Sequence, residues 1–434
     1  MRLFSIMKKL KIITLGCDKN LVDSEVLSGQ MSEAYEISPE FSEGEAIIIN
    51  TCGFIGDAKK QSIEAILEAI EEKKKGNFKK LLLTGCLIQR YYKELKSEFP
   101  EADGFFRLGD IKGMMRELGI NKRVSANRFC ERIALESDHT GYIKISEGCN
   151  HRCSYCAIPS IRGRYQSRSI DSILKEAEYL ISGKVEEIIL VGQEISSFGT
   201  DNYKKNMIND LLRELSKVCG KEKWIRLLYT HPPLVTRDFI ETVASLDNVC
   251  NYIDFPIQHT ESAILKSMGR ADSTEKIFAK IKLMREIIPD IVIRTSIITG
   301  FPGETVKVYN DMKKHLKELR FDRLGVFAFS PEEGTKASEM ESRVGQATAK
   351  KRSEEIMRIQ QEISLENNTE KIGKIFKVLI DRKENSFSVG RTYGDSPDVD
   401  NEVLIKDDLE VGRFYDVKIT DAEEFDLYGL NFTD

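Results

Sequence analysis

Nowhere in the 434 residues do about 18 apolar positions run together, the length a helix needs to cross a bilayer. A membrane-spanning helix is therefore not expected. Charge of one sign is missing too: 65 Lys plus Arg face 70 Asp plus Glu, a net of −5. That removes any general pull toward nucleic acid or an anionic membrane surface. The nine cysteines, at 17, 52, 86, 130, 149, 153, 156, 219 and 250, are an odd number in a long chain with no export signal, so no disulfide framework is expected. Metal or redox chemistry is the better reading for those that cluster. No Gly-x-Gly-x-x-Gly opens a helix after a strand, so a dinucleotide site is not indicated.

The start, MRLFSIMKKLKIITLGC, sets basic residues before an apolar stretch and a cysteine, as an exported lipoprotein does. Here Lys8, Lys9 and Lys11 break the apolar stretch and no small-residue cleavage site follows. A cytoplasmic start is expected, with Met7 an alternative initiator. The length exceeds what one core serves. Three segments are read from the pattern: 8–125, 135–368 and 369–434.

In the first segment, short apolar runs alternate with helical patterns three times, "KIITLGC", "AIIINTCGF" and "KKLLLTGCLI" each leading into an amphipathic stretch. This predicts a parallel α/β domain. Each run ends alike, on Leu15-Gly16-Cys17, Thr51-Cys52-Gly53 and Thr84-Gly85-Cys86. The carboxyl ends of parallel strands share one edge, where ligands bind. Cys17, Cys52 and Cys86 are thus expected to meet. Three thiolates with no obvious fourth protein ligand suit an iron-sulfur cluster with one open iron, or a zinc site with an open position.

The central segment carries "EGCNHRCSYCAIPSIRG", with Cys149, Cys153 and Cys156 spaced CxxxCxxC. Such a loop wraps three corners of an iron-sulfur cube and leaves the fourth iron open. Zinc normally asks for two CxxC pairs or an added histidine pair, and the loop offers only His151. Downstream, the runs "VEEIILVGQE", "WIRLLYTHP", "NYIDFPIQH", "IVIRTSIITGFPGE" and "RLGVFAFSPEEGT" alternate with helical patterns, as a (β/α) barrel requires. Gln193, Glu194, His231, Gln258, His259, Arg294 and Glu304 lie toward the ends of these runs, where such barrels place their chemistry. Cys130, Cys219 and Cys250 have no partner spacing and read as small apolar residues.

Residues 342–372 read as one long charged helix, a connector more than a core element. The short alternating strands beyond it predict a small β-barrel. From Lys371 to Asp434 there are 15 acidic and 9 basic residues, a net of −6 that leaves the remaining chain near +1. The acidic residues gather in "GDSPDVDNEV" and "TDAEEFD". A barrel so charged would repel phosphate and attract a basic polypeptide.

CxxxCxxC with Tyr155 before its last cysteine resembles the radical S-adenosylmethionine superfamily. The resemblance implies a TIM-like (β/α) barrel and a 4Fe-4S cluster on Cys149, Cys153 and Cys156. S-adenosyl-L-methionine would sit on the open iron, with Tyr155 near its adenine and Gln193, Glu194 and Arg294 as further cofactor contacts. Reductive cleavage would give a 5′-deoxyadenosyl radical that takes hydrogen from unactivated carbon.

Taken with the cysteine triad and a C-terminal barrel of the TRAM kind, nearly the whole chain, from about Lys8 to Asp434, resembles the methylthiotransferases. That resemblance implies a second 4Fe-4S cluster on Cys17, Cys52 and Cys86. One S-adenosylmethionine would supply the methyl group, another the radical, and the product would carry C–SCH3 where C–H had been. "LGCDKNLVDSE", "CNHRCSYCAIPSIRG" and "GRTYGDSPDVD" are similar to the branch that modifies the β-carbon of an aspartate in the basic ribosomal protein S-twelve. Glu194 departs from it, since that branch shows Asp there. The implied partners are that protein, a sulfur donor and an electron donor such as flavodoxin or ferredoxin, with no membrane. The alternatives are an anticodon-adjacent tRNA adenosine as substrate, or a non-catalytic iron-sulfur protein that binds ribosomes.

Overall fold

Ala46–Thr51 and Lys80–Gly85 are near-continuous apolar runs, the pattern of strands covered on both faces. In the computed structural model, which describes residues 7–39 and 45–432, they pair in parallel at the centre of a five-stranded sheet. The described chain groups into two compact units. The first holds residues up to 137 with 147–150 and 157–164; the second holds 138–146, 151–156 and 165 onward.

The sheet of the first unit comprises β1 (Lys8–Thr14), β2 (Tyr35–Ile37), β3 (Ala46–Thr51), β4 (Lys80–Gly85) and β5 (Gly104–Phe105), all parallel, in the order β2-β1-β3-β4-β5. Between them run α1 (Asp18–Met31), α2 (Gly56–Lys74), α3 (Cys86–Arg90) and α4 (Tyr92–Glu98), and α5 (Ile111–Glu117) follows. Alternate strand residues face opposite ways. Ile47, Ile49, Leu81 and Leu83 pack with Ile66 and Ile70 of α2, whereas Ile48 and Leu82 pack with Leu27 and Met31 of α1 and Met114 and Met115 of α5. The strand order reverses between β1 and β3, the switch point at which doubly wound sheets bind ligands. Strands β2 and β5, three and two residues long, are additions to the expected three. They are too short to carry a readable period.

The second unit contains six parallel strands: β6 (Thr140–Lys144), β7 (Glu187–Val191), β8 (Trp224–Leu227), β9 (Tyr252–Asp254), β10 (Val292–Thr299) and β11 (Arg323–Ala328). They form sheets β8-β7-β6 and β9-β10-β11, linked by the parallel bridge Ile225 to Val249. This is a partial barrel, short of the eight strands of a closed (β/α) barrel. The long helix is Gln346–Thr369. It is more than a connector, because Ala349, Ile356 and Ile363 form a buried stripe along it and Ile356 joins the barrel core. The charged residues on its other face hid that stripe in the sequence. Ile375–Glu384, Phe387–Thr392, Glu402–Ile405, Phe414–Ala422 and Asp426–Asn431 then close a five-stranded barrel around Val378, Ile380, Val403, Val417 and Leu427. Among the described residues no helix is long and apolar enough to cross a membrane.

The small barrel is tied to the partial barrel by buried charge. Arg226, fully buried, donates from Nε to Glu187 at 2.6 Å and from Nη1 to the Tyr393 carbonyl at 2.7 Å. The other oxygen of Glu187 lies 2.8 Å from Arg391 Nη1, and Arg391 in turn clasps Asp381 at 2.7 and 2.9 Å. Arg323 donates to Asp395 at 2.9 Å, and Asp400 accepts from Tyr252 Oη at 2.7 Å and Arg294 Nε at 3.3 Å. Two carboxylates of the acidic run "GDSPDVD" are therefore consumed as anchors. They are not displayed to a partner, which corrects the expectation drawn from charge alone.

Burial would raise the Asp381 carboxyl, but Arg391 and His139 prevail and hold it at about 2. A depressed carboxylate stabilises the fold above its unfolded value, near 3.9, and that contribution is lost as pH falls through about 2. Asp381→Asn should therefore cost on the order of 2 kcal/mol at pH 6, with the deficit vanishing toward pH 2. The only tryptophan, Trp224, stacks edge-on against Phe414 of the small barrel at 4.7 Å and supplies the fluorescence readout for urea unfolding. An equal deficit at pH 6 and at pH 2 would show that the carboxylate's charge is not what matters.

Candidate functional site

Register aligns the first three cysteines. Thr14 lies opposite Asn50, Asn50 opposite Thr84 and Thr51 opposite Gly85. Carried one residue past the strands, Cys52 falls level with Cys86, and Cys17 stands one position further out. The loops are close-packed: a Cβ on Gly16 (φ +98°) would lie 2.7 Å from Cys52 Sγ, and one on Gly85 (φ +100°) would lie 2.3 Å from Thr51 backbone. Both the dihedral and the contact require glycine. Cys17 occupies the N-cap of α1, where the helix favours negative charge. Ser62 of α2 clasps Cys52, accepting from its N–H at 3.0 Å and donating to its carbonyl at 2.8 Å.

As free thiols, Cys52 and Cys86 are pushed upward by burial, Cys86 to about 11. Arg162 and the other thiols act on both, with the arginine opposing the rise. Among the described residues no three His, Cys, Asp or Glu side chains converge tightly enough to chelate a single ion. What fits a cluster is the chemistry of three unbridged thiols on one sheet edge with a cation beside them.

Cys149, Cys153 and Cys156 lie within eight consecutive residues. Cys149 belongs to the first unit, where its N–H donates to the Gly163 carbonyl at 3.2 Å. Cys153 and Cys156 belong to the second unit, and the residue after Cys153 fixes their loop. Ser154 donates from its backbone to the Met268 carbonyl and from its hydroxyl to the Ser267 carbonyl, each at 2.9 Å, and its own carbonyl accepts from Ala337 at 2.8 Å. Tyr155 accepts from Arg270 Nη1 at 3.4 Å, and Arg270 also donates to the Pro256 carbonyl at 2.9 Å.

Beyond β7, buried Glu194 stands 3.4 Å from His151 Nε2 and accepts from the Ser197 N–H at 3.0 Å. The His151 ring stacks on His231 at 3.8 Å between centroids. Burial, then the nearby cations, lowers His231 to about 2, so its imidazole is neutral. Gln193 precedes this group and is half-buried.

The remaining strand-end residues do other work. His259, Glu304 and Arg352 form a buried chain that pins the long helix to the barrel. Gln258 bridges to β10 by its backbone. Arg294 is the third residue of the eight-residue β10, not its end, and its guanidinium is taken up by Asp254 and Asp400. Cys219 and Cys250 are buried in the second unit, each thiol raised to about 12 by burial. Cys130 is half-buried in the first. Sequence reasoning missed Arg162, Asn20, Ser154 and Arg270, for which spacing gives no signal.

Three family models match the chain. They are the Radical SAM superfamily over residues 143–319, Uncharacterized protein family UPF0004 over 9–107 and the TRAM domain over 372–430. Among curated relatives, the ribosomal protein uS12 methylthiotransferase RimO of Bacteroides thetaiotaomicron is 45% identical, covering 97% of this chain and 98% of that protein. That of Clostridioides difficile is 42% identical, covering 98% of each. Among solved structures, the radical S-adenosylmethionine methyltransferase TsrM from Kitasatospora setae matches with a TM-score of 0.55 at 15% identity, over 76% of this chain and 74% of that one. That likeness concerns the fold alone.

Proposed function

The chain belongs to the family of ribosomal protein uS12 methylthiotransferases RimO, which are radical SAM transferases, and from that premise we propose how its residues divide the work. Cys149, Cys153 and Cys156 hold one 4Fe-4S cluster; Cys17, Cys52 and Cys86 hold a second, auxiliary one. The substrate is the β-carbon of an aspartate in the small-subunit protein, so the reaction takes place in the cytoplasm. The observation that carries the two-cluster reading is the register that lines Cys17, Cys52 and Cys86 along one sheet edge at a switch point.

When bound, a four-iron cluster with an open iron supplies an electron and an anchoring site for reductive cleavage of S-adenosyl-L-methionine. The chain's part is to orient and to exclude. Ser154, tied at three points, fixes the loop between Cys153 and Cys156. Tyr155, braced by Arg270, would offer an aromatic face to the adenine. Gln193 and Glu194 stand at the strand end, with Glu194 3.4 Å from His151 Nε2 and the His151 ring stacked on His231. Arg294, read from sequence as a cofactor contact, serves as an anchor of the small barrel instead.

A basic protein suits the acidic surface left on the small barrel, where Glu410, Asp416, Asp421, Glu423 and Glu424 remain exposed. A sulfur donor and a low-potential electron donor such as flavodoxin or ferredoxin complete the reaction. The test offers anaerobically reconstituted protein, S-adenosylmethionine and reductant to protein S-twelve and to anticodon-loop RNA in parallel. Net gain of SCH2 by the protein alone is expected, with about eight irons per chain. Product on the RNA would reverse the substrate, and about four irons would leave the first triad idle.

A further inference from the structure

Arg162 closes α6 (Ile158–Arg162), six residues past Cys156, and its side chain is only 2% exposed. A guanidinium so buried must be matched on every side. Its partners are specific. Nε donates to Cys86 Sγ at 3.3 Å, Nη2 to Asn20 Oδ1 at 2.5 Å, and Nη1 to Asp23 at 3.2 Å and Glu147 at 2.9 Å.

Asn20 extends that reach, because its Nδ2 donates to the carbonyls of Leu15 at 2.7 Å and Thr51 at 3.2 Å, the backbone just before Cys17 and Cys52. One arginine therefore touches the third cysteine of the triad directly and the loops of the other two through a single side chain. Glu147 stands two residues before Cys149, so the same guanidinium also holds the approach to the CxxxCxxC loop. Two carboxylates would suffice for a purely structural arginine. The donor aimed at sulfur is what sets this one apart.

We propose that Arg162 is a positioning residue for the auxiliary cluster, donating an N–H to the ligating sulfur of Cys86 and placing a fixed positive charge beside it. Hydrogen bonds to ligating sulfurs and nearby positive charge favour the reduced cluster, which carries one more negative charge. Arg162 thereby raises the auxiliary reduction potential while fixing all three loops.

The inference rests on the triad holding a cluster, and the experiment separates the two. In full-length protein with Cys149, Cys153 and Cys156 changed to Ala, only the auxiliary triad is left to load. Iron and sulfide are measured first, then the midpoint potential by electron paramagnetic resonance. About four irons are expected in this background. Arg162→Gln should shift its reduction equilibrium at least tenfold toward the oxidised state, about 59 mV for one electron, and Arg162→Lys should recover part of that shift. A background protein without iron would overturn the cluster reading itself. Four irons with an unchanged potential in Arg162→Gln would overturn the role given to Arg162 alone. Should Arg162→Gln lose its iron, Arg162→Lys decides: a shift in the same direction supports the role, and the parental potential refutes it.

Discussion

Cys153→Ala should abolish 5′-deoxyadenosine formation, whereas Cys52→Ala should leave that product and remove methylthiolation. The difference follows from the proposed division of the six cysteines. Cys153 belongs to the loop that Ser154 pins against Ser267, Met268 and Ala337, so its side chain is held in one place. Losing a ligand outright should cost more than the roughly 10- to 100-fold that loss of an outer-shell partner costs. Cys52 stands at the end of a different sheet, held by Ser62, and on the proposed division would take no part in cleaving S-adenosylmethionine. Deoxyadenosine quantified under single-turnover conditions distinguishes them. Undiminished product from Cys153→Ala would refute the assignment of the central loop, and loss of deoxyadenosine in Cys52→Ala would show that the two triads are not independent.

The second large effect concerns stability. Glu187→Ala should destabilise the protein by about 3–5 kcal/mol, because it strips the shared carboxylate from two buried guanidiniums, Arg226 and Arg391. Removing one partner of a buried ion pair leaves an uncompensated charge, which costs far more than the intact pair contributes. The effect should reach Trp224 early, since its ring bridges the partial barrel to Phe414. A shift in the urea midpoint of tryptophan fluorescence with unchanged slope measures it. A change below about 1 kcal/mol would place the network among exposed pairs of little worth.

How much of this was legible beforehand varied with the physics. The three cysteine-ended strands were readable because parallel strands are apolar runs with a common edge, and a cysteine repeated at the same strand end is a positional signal. The acidic tail was readable only as a sum. Nothing in "GDSPDVD" says that Asp395 and Asp400 turn inward to Arg323 and Arg294. Arg294 misled for a related reason, as the apolar run around it does not announce where an eight-residue strand begins. The buried stripe of the long helix was masked by the charges on its outer face. Arg162 was one basic residue among 65, and its meaning depends on α6 packing where Cys86, Asn20 and Glu147 already stand.

On the function proposed above, this chain takes hydrogen from an aspartyl β-carbon of protein S-twelve and puts a methylthio group there. Substrate protein labelled with deuterium at the aspartate β-carbons tests it most directly, with mass spectrometry of both products after a single turnover. One modified aspartate that has lost a deuterium and gained SCH3 is expected, together with 5′-deoxyadenosine carrying that deuterium. Deoxyadenosine free of deuterium, or a protein whose aspartates all keep their label, would contradict it.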